Sequence, residues 1–221
     1  DLACYLFAPE WAPDGKRIAF ADAHHNIHVV SVADRKRTVV VRDELGGNPD
    51  LAWSPDGQFL ALTLRNPNQN PSLWIWSAAE NKLRRVTDDL FPVASPTWSP
   101  DGDYLYLLSR RSFSPVASSL ELDFAGQKDL GIFAYPLRRD VPHPFAPESD
   151  EVTPAKAETP DKGKKDVKVR IDWEGLAGRA VRVPLPPDNL GGVTAVPDGL
   201  VYTKQPLFTF SEDEVPPTFG L

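Results

Sequence analysis

The stretch Trp53-Ser54-Pro55-Asp56-Gly57 decides the fold of this chain, because two close relatives of it occur elsewhere in the sequence. They are Trp11-Ala12-Pro13-Asp14-Gly15 and Trp98-Ser99-Pro100-Asp101-Gly102. The copies start about 42 to 45 residues apart, and a motif that returns at this interval marks one supersecondary unit that is used repeatedly. Such a period is typical of propeller blades and of helical solenoids.

Each copy of the motif predicts a strand, a tight turn and a second strand. Asp-Gly is a strong hairpin signal because Gly accepts the positive φ of the turn, and the preceding Pro ends the incoming strand because it has no N–H. Further strands are predicted after each turn, with alternating or β-branched residues at 17–20, 27–32 and 37–41, at 59–62, 73–77 and 83–87, and at 104–108 and 132–137. Four antiparallel strands per repeat are a propeller blade, and no stretch has the sustained helical period that a solenoid needs. The sequence therefore predicts an all-β fold, a β-propeller of four-stranded antiparallel blades.

The spacing of the motifs also predicts how the blades divide the chain. Residues 1–221 are expected to belong to one propeller domain, with blades at about 7–45, 50–90 and 96–186 and a partial blade at 193–221 that contains Val196-Pro197-Asp198-Gly199. These add up to roughly three and a half blades, whereas closed propellers have four to eight. We therefore expect a partial arc that is a piece of a longer chain.

Two segments interrupt the rhythm of the third blade. An insertion at 110–130 has apolar alternation that predicts a packed hairpin, and 147–166 is rich in Pro, Glu, Asp, Lys and Thr, which predicts a mobile linker. The alternating residues 167–172 are expected to form the strand that closes blade three, and Gly191-Gly192 to turn the chain into blade four.

The repeated residues have a structural explanation. Aspartate favours the turn before Gly, and a tryptophan at a strand end packs a large ring between neighbouring sheets. We therefore assign turn and core-packing roles, rather than ligand binding, to Trp11, Asp14, Gly15, Trp53, Asp56, Gly57, Trp98, Asp101 and Gly102.

Composition excludes several classes of function. The formal net charge is −7 and the basic residues are interspersed with acidic ones, which argues against a nucleic-acid partner. No run approaches the length of a transmembrane helix, so no membrane partner is expected. Cys4 is the single cysteine, so no internal disulfide can form and the residue is expected to be a small buried hydrophobe.

The sequence shows no catalytic constellation. Of the four histidines, His24 and His25 fall in the predicted loop between the second and third strands of blade one, and no serine lies in a G-x-S-x-G turn. The spacing of His24, His25 and His28 matches no standard metal-ligand pattern, and no phosphate-binding glycine loop is present. We predict no catalytic residue, no metal and no cofactor within these residues.

Segments outside the pentapeptide resemble a known family. The pentapeptide itself also occurs in the Tol-system propeller and in relatives of prolyl oligopeptidase, so the other segments are more specific. The segments that resemble the tricorn-type proteases, which are propeller-bearing serine peptidases of the tail-specific class, are 108–116, 135–140, 144–150, 169–176 with Arg179, and 183–186. The similarity extends from about Trp53 to Pro206.

This resemblance implies the later part of a second, seven-bladed propeller. In that family the propeller is followed by PDZ-like and catalytic domains, and the parent enzyme is a hexamer that degrades peptides. The expected partners are therefore the rest of the parent chain, peptide substrates and further copies of the protein. A cytoplasmic location is expected, with the periplasm as the alternative.

Two hypotheses for function follow. The first is a non-catalytic propeller segment of a tricorn-like serine protease, which channels or sieves peptides towards a downstream catalytic domain. Arginines at the ends of outgoing strands could then bind peptide carboxylates at the channel or its rim, and the candidates are Arg65, Arg110 and Arg111. The alternative is a stand-alone propeller that serves as a platform for protein–protein interactions. A propeller glycosidase would need a pair of carboxylates at a set separation, and no such pair is evident.

Overall fold

The protein is described here by a computed structural model, which places residues 4–111, 128–145 and 167–206 with their side chains. It places 115–117, 124–126 and 218–220 by their backbone. The predicted linker at 147–166 lies outside the described residues.

The described residues form four consecutive antiparallel sheets. The first contains β1 (Leu6–Trp11), β2 (Arg17–Asp22), β3 (Asn26–Ser31) and β4 (Arg37–Arg42), in that spatial order. The second contains β5 (Leu51–Trp53), β6 (Phe59–Arg65), β7 (Pro71–Ser77) and β8 (Lys82–Arg85), again in order. The predicted four-stranded blades are therefore confirmed for the first two repeats.

The third and fourth sheets contain the deviations from the repeat. The third has β9 (Val93–Trp98), β10 (Tyr104–Ser109), β13 (Gly131–Pro136) and β14 (Val181–Arg182) as neighbours, and the insertion forms a separate hairpin of β11 (Pro115–Ala117) and β12 (Phe124–Gly126). The fourth has β15 (Leu190–Val196), β16 (Gly199–Lys204) and β17 (Thr218–Gly220). A short 3-10 helix, Leu176–Arg179, precedes β14.

Two predictions about these sheets are wrong. Residues 167–172 do not close blade three, because β13 pairs with β14 instead, through Phe133 with Arg182 and Ala134 with Val181. Gly191 and Gly192 do not form a turn, because both lie within β15, next to an irregularity in its pairing with β16. Local sequence does not predict either outcome, because strand pairing depends on residues outside the segment itself, such as Thr203, which pairs with Gly192.

The order of contacts defines the centre of the arc. The first strands of successive blades contact one another, β1 with β5, β5 with β9 and β9 with β15. The fourth strand of each complete blade lies at the other edge of its sheet. This arrangement is that of a β-propeller, in which the first strands are innermost and the fourth strands outermost.

Apolar clusters between neighbouring blades hold the arc together. The cluster between blades one and two includes Ala19, Ile27, Leu60 and Leu62, all fully or almost fully buried. A larger cluster joins blades two and three, and a third, smaller cluster joins blade three to blade four through residues such as Leu108 and Val193. Each blade buries both faces only when it has a neighbour on each side, which is the usual logic of repeat folds.

The motif tryptophans link successive blades by hydrogen bonds as well as by packing. The indole Nε1–H of Trp53 donates to the carbonyl oxygen of Glu10 at 3.1 Å, and that of Trp98 donates to Ala52 at 3.0 Å. In both cases the acceptor is the residue immediately before the motif tryptophan of the preceding blade. The prediction that these two tryptophans pack in the core is confirmed, since they are 8% and 6% exposed.

Trp11 contradicts that prediction. It is 59% exposed, and every residue of β1 is exposed. The reason is that the described residues place no blade in front of β1, so the ring of Trp11 has no sheet to pack against.

The turns of the motifs behave as predicted and add contacts between blades. Gly15, Gly57 and Gly102 have φ between 67° and 76°, which favours glycine. Oδ1 of Asp56 accepts hydrogen bonds from the Ser54 hydroxyl at 2.6 Å and from the Gln58 N–H at 3.1 Å. The Arg17 guanidinium of blade one donates to the Gly57 carbonyl at 2.9 Å, so the turn of blade two is bound to its neighbour.

Residues 167–173 form an extended strap across blades two and three. Val169 is buried in the cluster between them, and its N–H donates to Oδ2 of Asp56 at 2.8 Å. Trp173 packs edge-on against Phe59, and the Arg84 guanidinium lies 4.5 Å from the centre of its ring. The strap therefore covers the blade junction instead of extending a sheet.

Arg179 fixes the end of this strap. Its guanidinium donates to four backbone carbonyls, those of Pro136 at 3.0 Å, Leu137 at 3.1 Å, Glu174 at 3.0 Å and Asp172 at 2.5 Å. The planar fork of arginine, with five donors, suits such a site.

In the part of the chain that the structure describes, no helix is long and apolar enough to cross a membrane.

Candidate functional site

A cleft lies between blades one and two. It is located at the edge of the arc where the first strands begin and the second strands end. Its volume is about 390 Å³. It is lined by Phe7, Asp22, Ala23, His25, Gly47, Asn48 and Arg65. Phe7 belongs to an innermost strand and Arg65 ends the strand next to one, so the cleft lies near the inner rim of the arc.

Arg65 is the cation of the cleft. Its backbone N–H donates to Oδ2 of Asp43 at 3.4 Å, and its Nη1 donates to Oε1 of Gln69 at 3.2 Å. Within the described ranges, the guanidinium has no ion-pair partner, and its Nε and Nη2 atoms have no hydrogen-bond acceptor. One edge of the planar fork is therefore free.

The loop from blade one to blade two stands opposite that free edge. Gly46 and Gly47 have φ of 70° and 148°. A Cβ on Gly47 would lie 3.5 Å from Nη2 and 3.6 Å from Nε of Arg65, which is ordinary van der Waals contact, so the loop passes beside these two donors. A Cβ on Gly46 would lie 3.0 Å from the imidazole of His25, so the loop also packs closely on this ring.

The inner wall of the cleft is a buried carboxylate with its own partners. Asp22 is buried, and its oxygens accept from Nε2 of His28 at 2.8 Å, from the Asn26 side chain, and from the backbone N–H groups of His24 and Asn26 at 2.9 Å. Burial alone would raise the pKa of Asp22, but these hydrogen bonds outweigh it and hold the pKa well below its ordinary value. The Asp22 carboxylate is thus ionised and fully used within blade one.

The other two candidate arginines are engaged elsewhere. Arg110 is exposed and its Nε lies 3.5 Å from Oδ2 of Asp129, an ion pair. Arg111 donates from Nη2 to the Tyr135 hydroxyl at 2.8 Å, and its guanidinium lies 4.9 Å from the centre of the Phe133 ring. The structure therefore does not bring the three arginines together, and each lies in its own surroundings.

A second group of side chains deserves a test as a metal site. Ligand atoms of Cys4, Asp22 and His24 lie within 4.8 Å of one another. A carboxylate offers about four lone-pair positions, and Asp22 already accepts five contacts from three residues. A metal there would have to displace buried hydrogen bonds, so this group is a poor metal site.

Sequence comparison places these features in a family. Residues 3–217 match the family described as the tricorn protease second β-propeller domain. The chain belongs to this family. This second-propeller domain is 31% identical over 201 residues to tricorn protease homolog 1 of Streptomyces coelicolor, a match that covers 89% of the chain and 19% of that protein. The chain thus spans about a fifth of the length of this curated relative.

Other similarities agree with the fold. The second-propeller domain superposes on a crystal structure of the tricorn protease with a TM-score of 0.76 at 19% identity, over 92% of the chain and 19% of that structure's chain. It superposes on TolB from Acinetobacter baumannii with a TM-score of 0.55 at 17% identity, over 93% of the chain and 39% of the TolB chain. The domain is also 38% identical to the Tol-Pal system protein TolB of Alcanivorax borkumensis over 65 residues. This match covers 27% of the chain and 14% of that TolB protein. The two superpositions show the propeller fold.

Part of the cleft in this domain was not predicted. Arg65 is one of the predicted rim residues, and His25 lies exposed in the loop between β2 and β3, as the sequence predicts. Gly46 and Gly47 lie in the connection between blades one and two, directly after a turn at 44–45. The missed signal is the combination of two glycines in a connection between blades with a histidine in the facing loop of blade one, and its meaning depends on how the loops fold over each other.

Proposed function

We propose that this second-propeller domain is a non-catalytic part of a tricorn-like serine protease, in which it forms part of the wall of a channel that leads peptides to a catalytic domain elsewhere in the protein. The observation that supports this most is the family match over residues 3–217.

A wall of this kind needs a continuous inner surface. The first strands β1, β5, β9 and β15 lie side by side along the inside of the arc, and they would provide that surface. Further blades of the same repeat would complete the ring, with the exposed Trp11 face as the joining point. Arg65, Arg110 and Arg111, at or just after the ends of second strands, would then lie on the rim that peptides pass.

Assembly with other domains and copies belongs to the same proposal. By analogy with the family, PDZ-like and catalytic domains would follow the propeller, and the protein would assemble into a hexamer. A cytoplasmic location would bring it to unfolded peptides. The alternative of a stand-alone interaction platform predicts no dependence of any peptidase activity on the arc.

The channel can be tested in the full-length protein by attaching a bulky group at the inner rim. Leu90 is 66% exposed and lies just before the innermost strand β9, inside the arc. In a variant without other accessible cysteines, Leu90→Cys is biotinylated and then bound by streptavidin. We expect hydrolysis of long unfolded peptides to fall several-fold, while hydrolysis of tripeptide substrates changes less, because only long chains need an unobstructed rim.

The matched control places the same label on the outer part of the arc. Lys36 is exposed in the turn between β3 and the outermost strand β4. Streptavidin on Lys36→Cys is expected to leave both substrates unaffected. Equal rates for long peptides with the two labels would contradict the channel, and would favour the interaction platform.

A further inference from the structure

We infer that the cleft between blades one and two is a carboxylate-binding subsite, in which the free edge of Arg65 binds a peptide carboxylate. The inference extends the proposed function, and rests on it only in that the carboxylate belongs to a peptide. The ligand could supply this group from its C-terminus or from an acidic side chain, and both present the same planar pair of oxygens.

The geometry of Arg65 is the first argument. Nη1 of Arg65 donates to Gln69, and this hydrogen bond orients the guanidinium. Nε and Nη2 remain as a parallel pair of donors on the other edge of the group. Two parallel N–H donors match the two oxygens of a carboxylate, and such bidentate pairs are stronger and more specific than single contacts.

The second argument is the space in front of this edge. The connection between the blades passes beside this edge, since a Cβ on Gly47 would lie 3.5 to 3.8 Å from the guanidinium atoms, and the glycine places no side chain against them. The volume of the cleft, about 390 Å³, accommodates one or two peptide residues. Phe7, at 42% exposure, offers an apolar wall for the side chain next to the carboxylate.

The charges around the cleft decide whether an anion is tolerated. Asp22 lines the cleft and Asp43 accepts from the Arg65 backbone, and both are buried. The oxygens of Asp22 are bound by groups of blade one, and those of Asp43 accept from the backbone N–H groups of Leu45 and Arg65. Neither forms an ion pair with the Arg65 side chain among the described residues, and Asp22 is the carboxylate among the residues that line the cleft.

Comparison with the other rim arginines distinguishes this site. Arg110 is already paired with Asp129, and Arg111 is bound to the Tyr135 hydroxyl and covers the Phe133 ring. A carboxylate would have to compete with an existing ion pair at Arg110 or with packing at Arg111. At Arg65 it would meet two free donors.

The test measures the binding of a peptide probe to the full-length protein in the absence of hydrolysis. The probe is a pentapeptide of D-alanine with a neutral BODIPY dye on its N-terminus and a free C-terminus, and its C-terminal amide is the uncharged comparison. Because D-residues resist proteolysis, fluorescence polarisation reports binding alone. We expect the acid to bind about tenfold more tightly than the amide, the size typical of one charge-assisted contact at a partly exposed site.

Three variants assign the preference to Arg65. Arg65→Gln is expected to remove the preference for the acid, and Arg65→Lys to keep only part of it, since an ammonium has the charge without the fork. Arg42→Gln is the matched control, because Arg42 is an exposed arginine at the same edge of blade one outside the cleft. It changes the net charge equally and is expected to keep the full preference.

The outcomes separate the possibilities. An acid preference that survives Arg65→Gln undiminished, or that is absent from the unaltered protein, would overturn the inference. If an amidated peptide ending in D-glutamate also binds more tightly than the alanine amide, and loses this in Arg65→Gln, side-chain carboxylates are ligands as well. The proposed channel could still operate without this subsite, and the subsite could bind peptides in a protein without a channel, so the two proposals can fail separately.

Discussion

The junctions inside the arc and the free face at its start contain versions of one repeated motif in two different environments. Trp53 and Trp98 are buried between blades, and each donates a hydrogen bond to the backbone of the blade before it. Trp11 occupies the equivalent place in blade one and is mostly exposed. The local strand and turn are alike in all three copies, so the motif determines a hairpin. The neighbouring blade determines whether the tryptophan of that hairpin is buried and contributes to the stability of the fold.

This difference predicts unequal costs of removing the tryptophans. In the protein limited to residues 1–221, Trp98→Ala is expected to lower the free energy of unfolding by about 3–5 kcal/mol, since it empties a core site and removes the hydrogen bond to the Ala52 carbonyl. Trp11→Ala is expected to cost less than about 1 kcal/mol, because an exposed ring contributes little. Urea denaturation followed by circular dichroism measures both.

A control divides the effect of Trp98 into its parts. Trp98→Phe keeps most of the apolar ring but removes the Nε1–H donor, so a loss of about 1–2 kcal/mol is expected. Equal destabilisation by Trp11→Ala and Trp98→Ala would show that the two environments do not differ as described.

The turn aspartates predict a smaller contrast of the same kind. Asp56 accepts from Ser54, Gln58 and the strap residue Val169, whereas Asp14 accepts from the Lys16 N–H and has a buried Oδ2 without a hydrogen-bond partner among the described residues. Asp56→Ala is therefore expected to cost about 2 kcal/mol and Asp14→Ala less than about 1 kcal/mol. Thermal unfolding by calorimetry compares them, and a larger loss at Asp14 would contradict the role given to the strap.

The smallest expected effect concerns acid stability in blade one. The pKa of Asp22 in the folded protein lies below its unfolded value of about 4, so its contribution to stability is present above about pH 4 and is lost as the pH falls below that value. Asp22→Asn has no such carboxylate, and its stability is expected to decline less steeply on acidification. Urea midpoints between about pH 6 and pH 3 measure the two slopes, and parallel curves would exclude this contribution of Asp22.

Much of the fold could be predicted from the sequence, because the repeat and its turns depend on local chemistry. Asp-Gly turns and β-branched strands specify hairpins without reference to distant residues, and the four-stranded blades follow from them. What could not be predicted were long-range choices. The alternating residues 167–172 have a strand pattern, yet their contacts with Asp56 and the cluster between blades two and three make them a strap.

The candidate site was less predictable than the fold. Arg65 could be chosen because it ends an outgoing strand, but the same rule chose Arg110 and Arg111, which have partners in the structure. Which arginine stays free depends on the loops that pack around it, here on Gly47 and on Gln69. Such loop contacts have no periodic signal in the sequence.

We expect β1 to be an inner strand of a ring whose next blade lies against Trp11. A cryo-electron microscopy map of the full-length protein tests this expectation. We predict a further four-stranded blade packed on β1, with a backbone carbonyl at about 3 Å from Nε1 of Trp11, as for Trp53 and Trp98. A map in which the Trp11 ring faces solvent, or is covered by something other than a blade, would contradict the expectation.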